Sequence, residues 1–293
     1  SLLAPTSTST STSSPSPCPC PPPPASLPPP PSTTIILVHG LGRTRRSMER
    51  LASRLEASTG LRAVSIGYPS TKLSVADAAA FVSSRAAEAC GGAGRPAFAV
   101  TFSLGGPIIR HASLLSESSS RGGGSSGSSS GGGGPLWLGA VLVAPPNRGS
   151  DLARELLLAP STPSVVRRLF RFLFGPAVLD LASSSEVIAR EWPDAPRPCG
   201  VIAGTAPRSL NPASLLLAAR VFGGRAGGSG GRGGSGEGRR PARAHDGTVA
   251  VDETALQIPA DDFAAVHAGH TLMADSREVA GLVTAFLLSG KFS

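Results

Sequence analysis

Six short apolar runs alternate along this chain with segments of helical periodicity. The first run, 34–38, is continuous, which is the pattern of a strand buried on both faces. Between the runs, apolar residues recur at spacings of three and four, as Met48, Leu51 and Leu55 do. Such alternation predicts an α/β fold with a mostly parallel central sheet and helices on both faces. The predicted strands are 34–38, 61–66, 97–102, 138–143, 200–203 and 262–266. Helices are predicted at 45–58, 74–90, after Ser103, within 151–183 and at 276–288.

Three segments have a composition that does not suit a folded core. Residues 1–33 are a Ser/Thr/Pro run, 118–134 is almost pure Gly/Ser, and 223–243 is rich in Gly and Arg. Such segments bury too little apolar surface to order themselves. The rest of the 293 residues suffices for one well-buried domain. We expect a disordered segment at 1–33 and one domain over 34–293, with 118–134 and 223–243 as inserts.

The formal net charge of +8 comes almost wholly from arginine, since Lys72 and Lys291 are the two lysines. Six arginines lie in or beside the glycine-rich inserts, and no nucleic-acid-binding motif accompanies them, so we expect no nucleic-acid partner. No apolar run reaches the ~18 residues that a membrane-spanning helix needs. This predicts no integral membrane segment and leaves peripheral membrane contact open.

The four cysteines, Cys18, Cys20, Cys90 and Cys199, are too few and too scattered for a disulfide scaffold. They favour a reducing compartment, cytoplasm or plastid, over secretion. Residues 1–48 contain no acidic residue and many Ser and Thr, which is typical in part of a plastid transit peptide. Their composition is equally typical of a proline-rich tail.

Ser103 lies between a buried strand and a helix, within Thr101–Gly106. This is where a nucleophile elbow holds a serine on a tight turn, with the N–H groups of a helix N-terminus behind it. The usual pattern is G-x-S-x-G, and Thr101 stands in place of the first glycine. A serine that merely caps the helix is the alternative, and it leaves the Leu104-Gly105-Gly106 run unexplained.

His39-Gly40-Leu41-Gly42 also follows a buried strand, the first of the six. Acyl transfer needs N–H donors at ~2.7–3.1 Å from the developing oxyanion. The backbone N–H groups of Leu41 and Leu104 are the candidates. Taken alone, a His-Gly pair after a strand is more often a structural turn.

A general base for Ser103 must come from a loop at the carboxyl edge of the sheet. His270 qualifies, because it lies between the last strand and the last helix. His267 is the lesser candidate. His111 falls in mid-helix, and His245 is interpreted as a loop residue.

The acid that would orient this base is predicted to be Asp246, which precedes His270 by 24 positions. Asp180, in the helical section after the fourth strand, is the alternative. Three further aspartates are interpreted as solvated turn residues: Asp252, Asp261 and Asp262. None of the carboxylates and histidines has metal-ligand spacing, so no metal and no cofactor is expected.

Taken together, these motifs resemble the lipase-like branch of the α/β-hydrolase superfamily. The likeness is to small hydrolases with a T-H-S-[LM]-G-G elbow and a later A-P-P-N-x-G-S motif. In chain order, the matching segments are 35–41, 101–106, 144–150, 246–249 and 269–273.

The resemblance implies Ser103 as nucleophile, Asp246 as acid, His270 as base, and Leu41 with Leu104 as oxyanion donors. Phe102 is a departure where His or Tyr is usual, and it bears on substrate fit more than on chemistry. The function implied is a serine hydrolase that cleaves carboxylic esters, lipid esters among them, through an acyl-enzyme.

Other functions stay open on the same fold: an acyltransferase, a thioesterase, a peptidase or a non-catalytic binding module. The apolar stretch 151–183 has two interpretations. It forms a small helical cap that lines an acyl pocket, or it consists of ordinary core helices.

Overall fold

The computed structural model describes residues 30, 32–121, 133–183, 185–207, 221–222 and 243–293. Most of the predicted disordered segment, 1–33, lies outside these residues. So do 122–132 of the first insert and 223–242 of the second.

The centre of the molecule is a six-stranded sheet in the order β2-β1-β3-β4-β5-β6, and every neighbouring pair of these strands is parallel. This confirms the predicted α/β architecture. The strands are β1 Thr34–Val38, β2 Ala63–Ile66, β3 Pro96–Phe102, β4 Leu136–Val143, β5 Cys199–Gly204 and β6 Asp262–Val266.

Helices connect the strands from β1 to β5, and helices cover both faces of the sheet. They are α1 Arg46–Thr59, α2 Val75–Cys90, α3 Gly105–Arg121, α4 Asp151–Leu158, α5 Ser164–Phe174, α6 Ala177–Leu181, α7 Ser185–Glu191, α8 His270–Met273 and α9 Arg277–Ser289, with a 3₁₀ turn at Val251–Thr254. The helix predicted at 74–90 is α2, and Ser74 caps it, because Ser74 Oγ accepts a hydrogen bond from the Asp77 N–H at 3.1 Å. Helix α3 continues to Arg121, so the first residues assigned to the insert at 118–134 are helical.

The side chains of β1 show why its apolar run is continuous. Ile36 and Val38 point into a core with α2 and α3, whereas Ile35 and Leu37 point into a second core with α1 and α9. All four are fully buried. A strand with helices on both faces has no solvent-facing side, so polar residues have no place in it.

The stretch 151–183 divides into core helices and an outer helix that forms the cap, and the acyl pocket expected beside that cap stays a prediction. Helices α4 and α6 belong to the core through residues such as Leu157 and Leu181. Helix α5 has no buried residue and lies on the outside as the cap. No helix in the described part of the chain is long and apolar enough to cross a membrane.

Candidate active site

Ser103 occupies a strained turn directly after β3. Its φ of 52° lies in the left-handed region, which a serine rarely adopts. The Ser103 N–H donates to the Val143 carbonyl at 2.8 Å and so ties the turn to the end of β4. This is the strand–turn–helix context predicted for an elbow.

The two glycines after Ser103 are required by close packing. A Cβ on Gly105 would lie 2.6 Å from the Val38 carbonyl oxygen, and one on Gly106 would lie 2.7 Å from Pro145 Cβ. No side chain fits at either position without moving a neighbour. Helix α3 can therefore start close against β1 and the loop after β4, which explains the Leu-Gly-Gly run.

His270, the first residue of α8, reaches Ser103 from the loop after β6. Its Nε2 lies 3.0 Å from Ser103 Oγ. Its Nδ1 lies 2.7 Å from Asp246 Oδ2, and both side chains are almost fully buried. A carboxylate at Nδ1 holds the proton on that nitrogen, which leaves Nε2 as the acceptor for the serine hydroxyl.

The Asp246 carboxylate is fixed by its own loop. Its Oδ1 accepts the N–H groups of Thr248 at 2.9 Å and Val249 at 2.8 Å. Gly247 makes the turn with a φ of 95°. The end of β5 passes closely, since a Cβ on Gly204 would lie 2.7 Å from Asp246 Cβ. Each oxygen of this buried carboxylate thus has a partner.

The loop after β1 packs on the elbow. A Cβ on Gly40 would lie 3.0 Å from Ser103 Cβ, so a larger residue would push the two turns apart by a few tenths of an ångström. Among the described residues, the Leu41 and Leu104 N–H groups form no backbone hydrogen bond. They belong to the two turns that meet at Ser103, and their role as oxyanion donors stays a prediction.

His39 holds this loop in place and does not face Ser103 as a base. Its ring is fully buried and stacks on Tyr68 with 4.3 Å between centroids. The Tyr68 hydroxyl donates to the His39 carbonyl at 2.9 Å, and His39 Nδ1 lies 2.9 Å from the Gly40 carbonyl. Burial lowers the pKa of His39, so the neutral ring is favoured.

Phe102 packs against the ring of His270. Its side chain is 1% exposed, its ring centroid lies 4.9 Å from that of His270, and the Arg43 guanidinium lies 4.7 Å above it. Arg43 Nη2 also donates to the Thr271 carbonyl at 2.9 Å. The Phe102 ring is thus buried against His270, and the expectation that it bears on substrate fit stays a prediction.

Three of the other predicted candidates, Asp180, His111 and His245, lie in structural contacts away from Ser103, and the fourth, His267, lies at the surface. Asp180 Oδ2 accepts the Val75 N–H at 2.8 Å and so caps the start of α2. His267 is exposed. His111 stacks edge-on against Trp192 at 5.5 Å, and His245 Nδ1 accepts the Gly247 N–H at 3.0 Å.

The three aspartates interpreted as solvated turn residues each hold a partner. Asp252 pairs with Arg243. Asp261 Oδ2 accepts the Cys199 N–H at 2.6 Å, and Asp262 Oδ2 accepts the Phe292 N–H at 2.6 Å. The Asp261 and Asp262 contacts join segments 62 and 30 positions apart, which a local pattern does not reveal.

Glu253 is a buried carboxylate that was not predicted from the sequence. Its Oε1 accepts the Asp151 N–H at 2.6 Å, and its Oε2 accepts the Ala250 N–H at 2.7 Å. Its backbone carbonyl accepts the Arg148 N–H at 2.9 Å. Burial raises the pKa of Glu253 to about 8. Glu253 thereby connects the loop after β4 to the segment that carries Asp246, and no local sequence signal marks it.

The Ala144–Ser150 motif is a packing centre. Arg110 is fully buried and donates from Nη1 to the Asn147 carbonyl at 2.8 Å. Asn147 Nδ2 donates to the Thr254 carbonyl at 2.8 Å. Ser150 caps α4, since its Oγ accepts the Ala153 N–H at 3.2 Å. These contacts join the loop after β4 to α3, α4 and the 3₁₀ turn.

A cavity of about 860 Å³ lies away from Ser103. It is bordered by the start of β4 and by the segment that leads into β5, including Leu136, Trp137 and Arg197. These strand starts lie at the opposite edge of a parallel sheet from Ser103. None of 151–183 borders it, so the acyl pocket stays a prediction. Within the residues that the structure describes, no group of three or more His, Cys, Asp and Glu could hold a metal ion.

A six-stranded parallel sheet with a serine on the turn after its central strand defines the α/β-hydrolase fold, and comparison with solved structures agrees. The chain is similar to mature lipase BlEst2 of Bacillus licheniformis, with a TM-score of 0.63, 16% identity, and coverage of 90% of this chain and 96% of the lipase. For the propeptide form of that lipase the TM-score is 0.58 at 18% identity, over 84% of this chain and 49% of the other.

No protein-family model and no curated protein sequence matches this chain. At such low identity, the structural similarity establishes the α/β-hydrolase fold. The closer resemblance to hydrolases with a T-H-S-[LM]-G-G elbow stays a prediction.

Proposed function

We propose that this protein is a serine hydrolase of carboxylic esters, with Ser103 as nucleophile, His270 as general base and Asp246 as the acid that orients it. The observation that carries the proposal is the unbroken series of hydrogen bonds from Asp246 through His270 to Ser103. The strained backbone conformation of Ser103 adds support, because such strain persists only where the surrounding structure imposes it.

The reaction follows from this geometry. Ser103 Oγ attacks the acyl carbon while His270 Nε2 takes the hydroxyl proton, and the Leu41 and Leu104 N–H groups stabilise the oxyanion. His270 then gives the proton to the departing alcohol, which leaves an acyl-enzyme. A water molecule, deprotonated by His270, attacks the acyl carbon and releases the acid. Asp246 stays ionised and stabilises the imidazolium.

Labelling with a fluorophosphonate probe tests the nucleophile. Wild-type protein should be labelled and Ser103→Ala should not, with hydrolysis of a p-nitrophenyl ester reduced by about 10⁶-fold. Ser53→Ala is the matched control, because Ser53 is an exposed helical serine whose Oγ bonds only the Glu49 carbonyl. Labelling of Ser103→Ala, or activity near wild type, would refute the proposal.

A panel of esters and thioesters of increasing acyl length then defines the substrate class. We expect turnover of carboxylic esters to exceed that of matched thioesters and amides. Preference for a thioester would replace the proposed activity with that of a thioesterase on the same triad.

A further inference from the structure

Helix α5 presents large apolar side chains to solvent. Phe172 is 83% exposed, Val165 70% and Leu169 55%. Leu173 and Val166 are exposed beside them. Single exposed apolar residues are ordinary, but a contiguous set on one helix usually marks a surface that contacts something else.

The eleven residues of α5 divide into three faces. At 100° per residue, the five exposed apolar residues share a face about 120° wide. Phe170 and Phe174 lie on a second face and pack against the core. The third face carries Arg167, Arg168 and Arg171. Arg168 and Arg171 are exposed and pair with no carboxylate in the described part of the chain.

The helix lies at the same edge of the sheet as Ser103. A Cβ on Gly175, directly after α5, would clash with the Thr71 carbonyl, so the two backbones touch. The adjacent Ser70 Oγ accepts the Gly42 N–H at 3.1 Å and thus contacts the loop that carries Leu41. One continuous path of contacts therefore joins α5 to the loop beside Ser103.

We propose that α5 docks on an anionic phospholipid bilayer, with Val165, Leu169, Phe172 and Leu173 in the acyl-chain boundary and Arg168 and Arg171 at the headgroups. An apolar face flanked by arginine is the composition of a helix that lies in a membrane interface. One consequence of this docking rests on the proposed function: the ester substrate is a lipid held in that bilayer.

Charge argues against a second copy of the chain as the occupant. In an antiparallel two-fold contact the same helix faces itself, which would bring the arginines beside each apolar face together without acidic partners. Anionic headgroups instead supply the countercharge along the whole arginine face.

The binding test uses full-length Ser103→Ala, so that hydrolysis does not alter the vesicles. Co-sedimentation is measured with vesicles of phosphatidylcholine and of phosphatidylcholine mixed with phosphatidylglycerol. We expect binding to the mixed vesicles that weakens as salt rises to 1 M, where the Debye length falls to about 3 Å. Leu169→Gln with Phe172→Gln should reduce the affinity at least ~10-fold.

Removing the arginines tests the charged face. Arg168→Gln with Arg171→Gln should weaken binding to the mixed vesicles about fivefold per residue, which corresponds to ~1 kcal/mol each. Matched controls remove the same residue types elsewhere: Arg46→Gln with Arg277→Gln, and Phe263→Gln with Leu288→Gln. All four control positions are exposed, and their variants should bind at least ~5-fold more tightly than the corresponding α5 variants.

Three results would overturn the docking proposal. The first is absence of vesicle binding. The second is binding equal in the α5 and control variants, which would assign it to another basic segment such as 223–243. The third is a concentration-dependent dimer that Leu169→Gln with Phe172→Gln abolishes while vesicles are not bound.

Activity separates failure of docking from failure of the proposed function. With Ser103 restored, Leu169→Gln with Phe172→Gln should hydrolyse a water-soluble short ester at the wild-type rate and a vesicle-borne ester ~10-fold more slowly. Equal rates on both substrates refute docking alone. If the wild-type protein hydrolyses neither substrate, the proposed hydrolase is refuted. The docking proposal is then still tested by vesicle binding, which does not depend on activity.

Discussion

Asp246 holds His270 through two hydrogen bonds. Its Oδ2 lies 2.7 Å from the imidazole Nδ1, and its backbone carbonyl accepts the His270 N–H at 2.9 Å. Both the ring and the first turn of α8 are therefore positioned by one residue. Because Thr248 and Val249 hold the other carboxylate oxygen, the ring orientation does not depend on bound substrate.

Replacing this acid should remove activity without unfolding the protein. Asp246→Asn keeps the backbone bond to His270 but favours the wrong imidazole tautomer, and we expect turnover to fall by about 10⁴-fold. Asp180→Asn is the control, because Asp180 caps α2 and should affect stability by ~1 kcal/mol with little loss of turnover. Steady-state kinetics of the two variants decide the point. If the loss follows Asp180, the acid is misassigned.

Two glycine substitutions should have opposite effects on stability. Gly105→Ala forces a Cβ to within 2.6 Å of the Val38 carbonyl and should cost about 1–3 kcal/mol of unfolding free energy, with a loss of activity at the displaced elbow. Gly281→Ala, in the interior of α9 with no atom within 4 Å of the new Cβ, should stabilise by about 0.5–1 kcal/mol. Urea unfolding measures both. A neutral Gly105→Ala would contradict the close approach of α3 to β1.

Stability should fall as pH rises through the range where Glu253 ionises. Burial raises its folded pKa from 4.5 to about 8, so the folded state holds a proton that the unfolded state has lost. The stabilisation from this group is full below pH 4.5 and disappears as pH rises through about 8. Burial lowers the pKa of His39, so this group contributes stability above pH 6.5 that is lost as pH falls towards its folded pKa.

The Glu253→Gln variant isolates that contribution. Because glutamine does not titrate, the difference in unfolding free energy between wild type and variant should shift in favour of the variant from pH 5 to pH 8.5. Chemical denaturation across this range measures it. A difference that stays constant with pH would mean that Glu253 is ionised throughout.

Arg43 should act on turnover through His270. Arg43→Met keeps an apolar stem over Phe102 but loses the bond to the Thr271 carbonyl, so we expect kcat to fall about 10-fold from a less well oriented base. Arg54→Met is the matched control, because Arg54 Nη1 also donates to a backbone carbonyl after β6, that of Asp275, at 2.6 Å. This variant should keep the wild-type kcat. Equal effects of the two variants would indicate general loosening of the segment after β6.

Local pattern predicted much of this molecule. The continuous apolar run of β1 implied a strand buried on both faces, and Ser74 implied the start of α2, because both signals involve neighbouring residues only. The turn at Ser103 was predictable for the same reason. The pattern also placed His270 after the last strand.

Contacts between distant segments were less accessible to prediction. The exposure of α5 could not be inferred, because a helix with apolar residues on two faces is equally typical of a core. No local signal marked Glu253, because its burial depends on backbone donors from Ala250 and from Asp151, 102 positions away.

The sequence by itself determined the α/β architecture, the strand–turn–helix setting of Ser103, and the set of carboxylates and histidines that could serve it. Tertiary structure decided which of them meet. From the sequence, both Asp246 and Asp180 were candidates to orient His270. The order of β5 and β6 in the sheet brings Asp246 to His270 Nδ1, whereas Asp180 accepts a hydrogen bond at the start of α2. Propensity and periodicity act over a few residues, whereas a hydrogen bond between Ser103 and His270 spans 167 positions and depends on how the whole core packs.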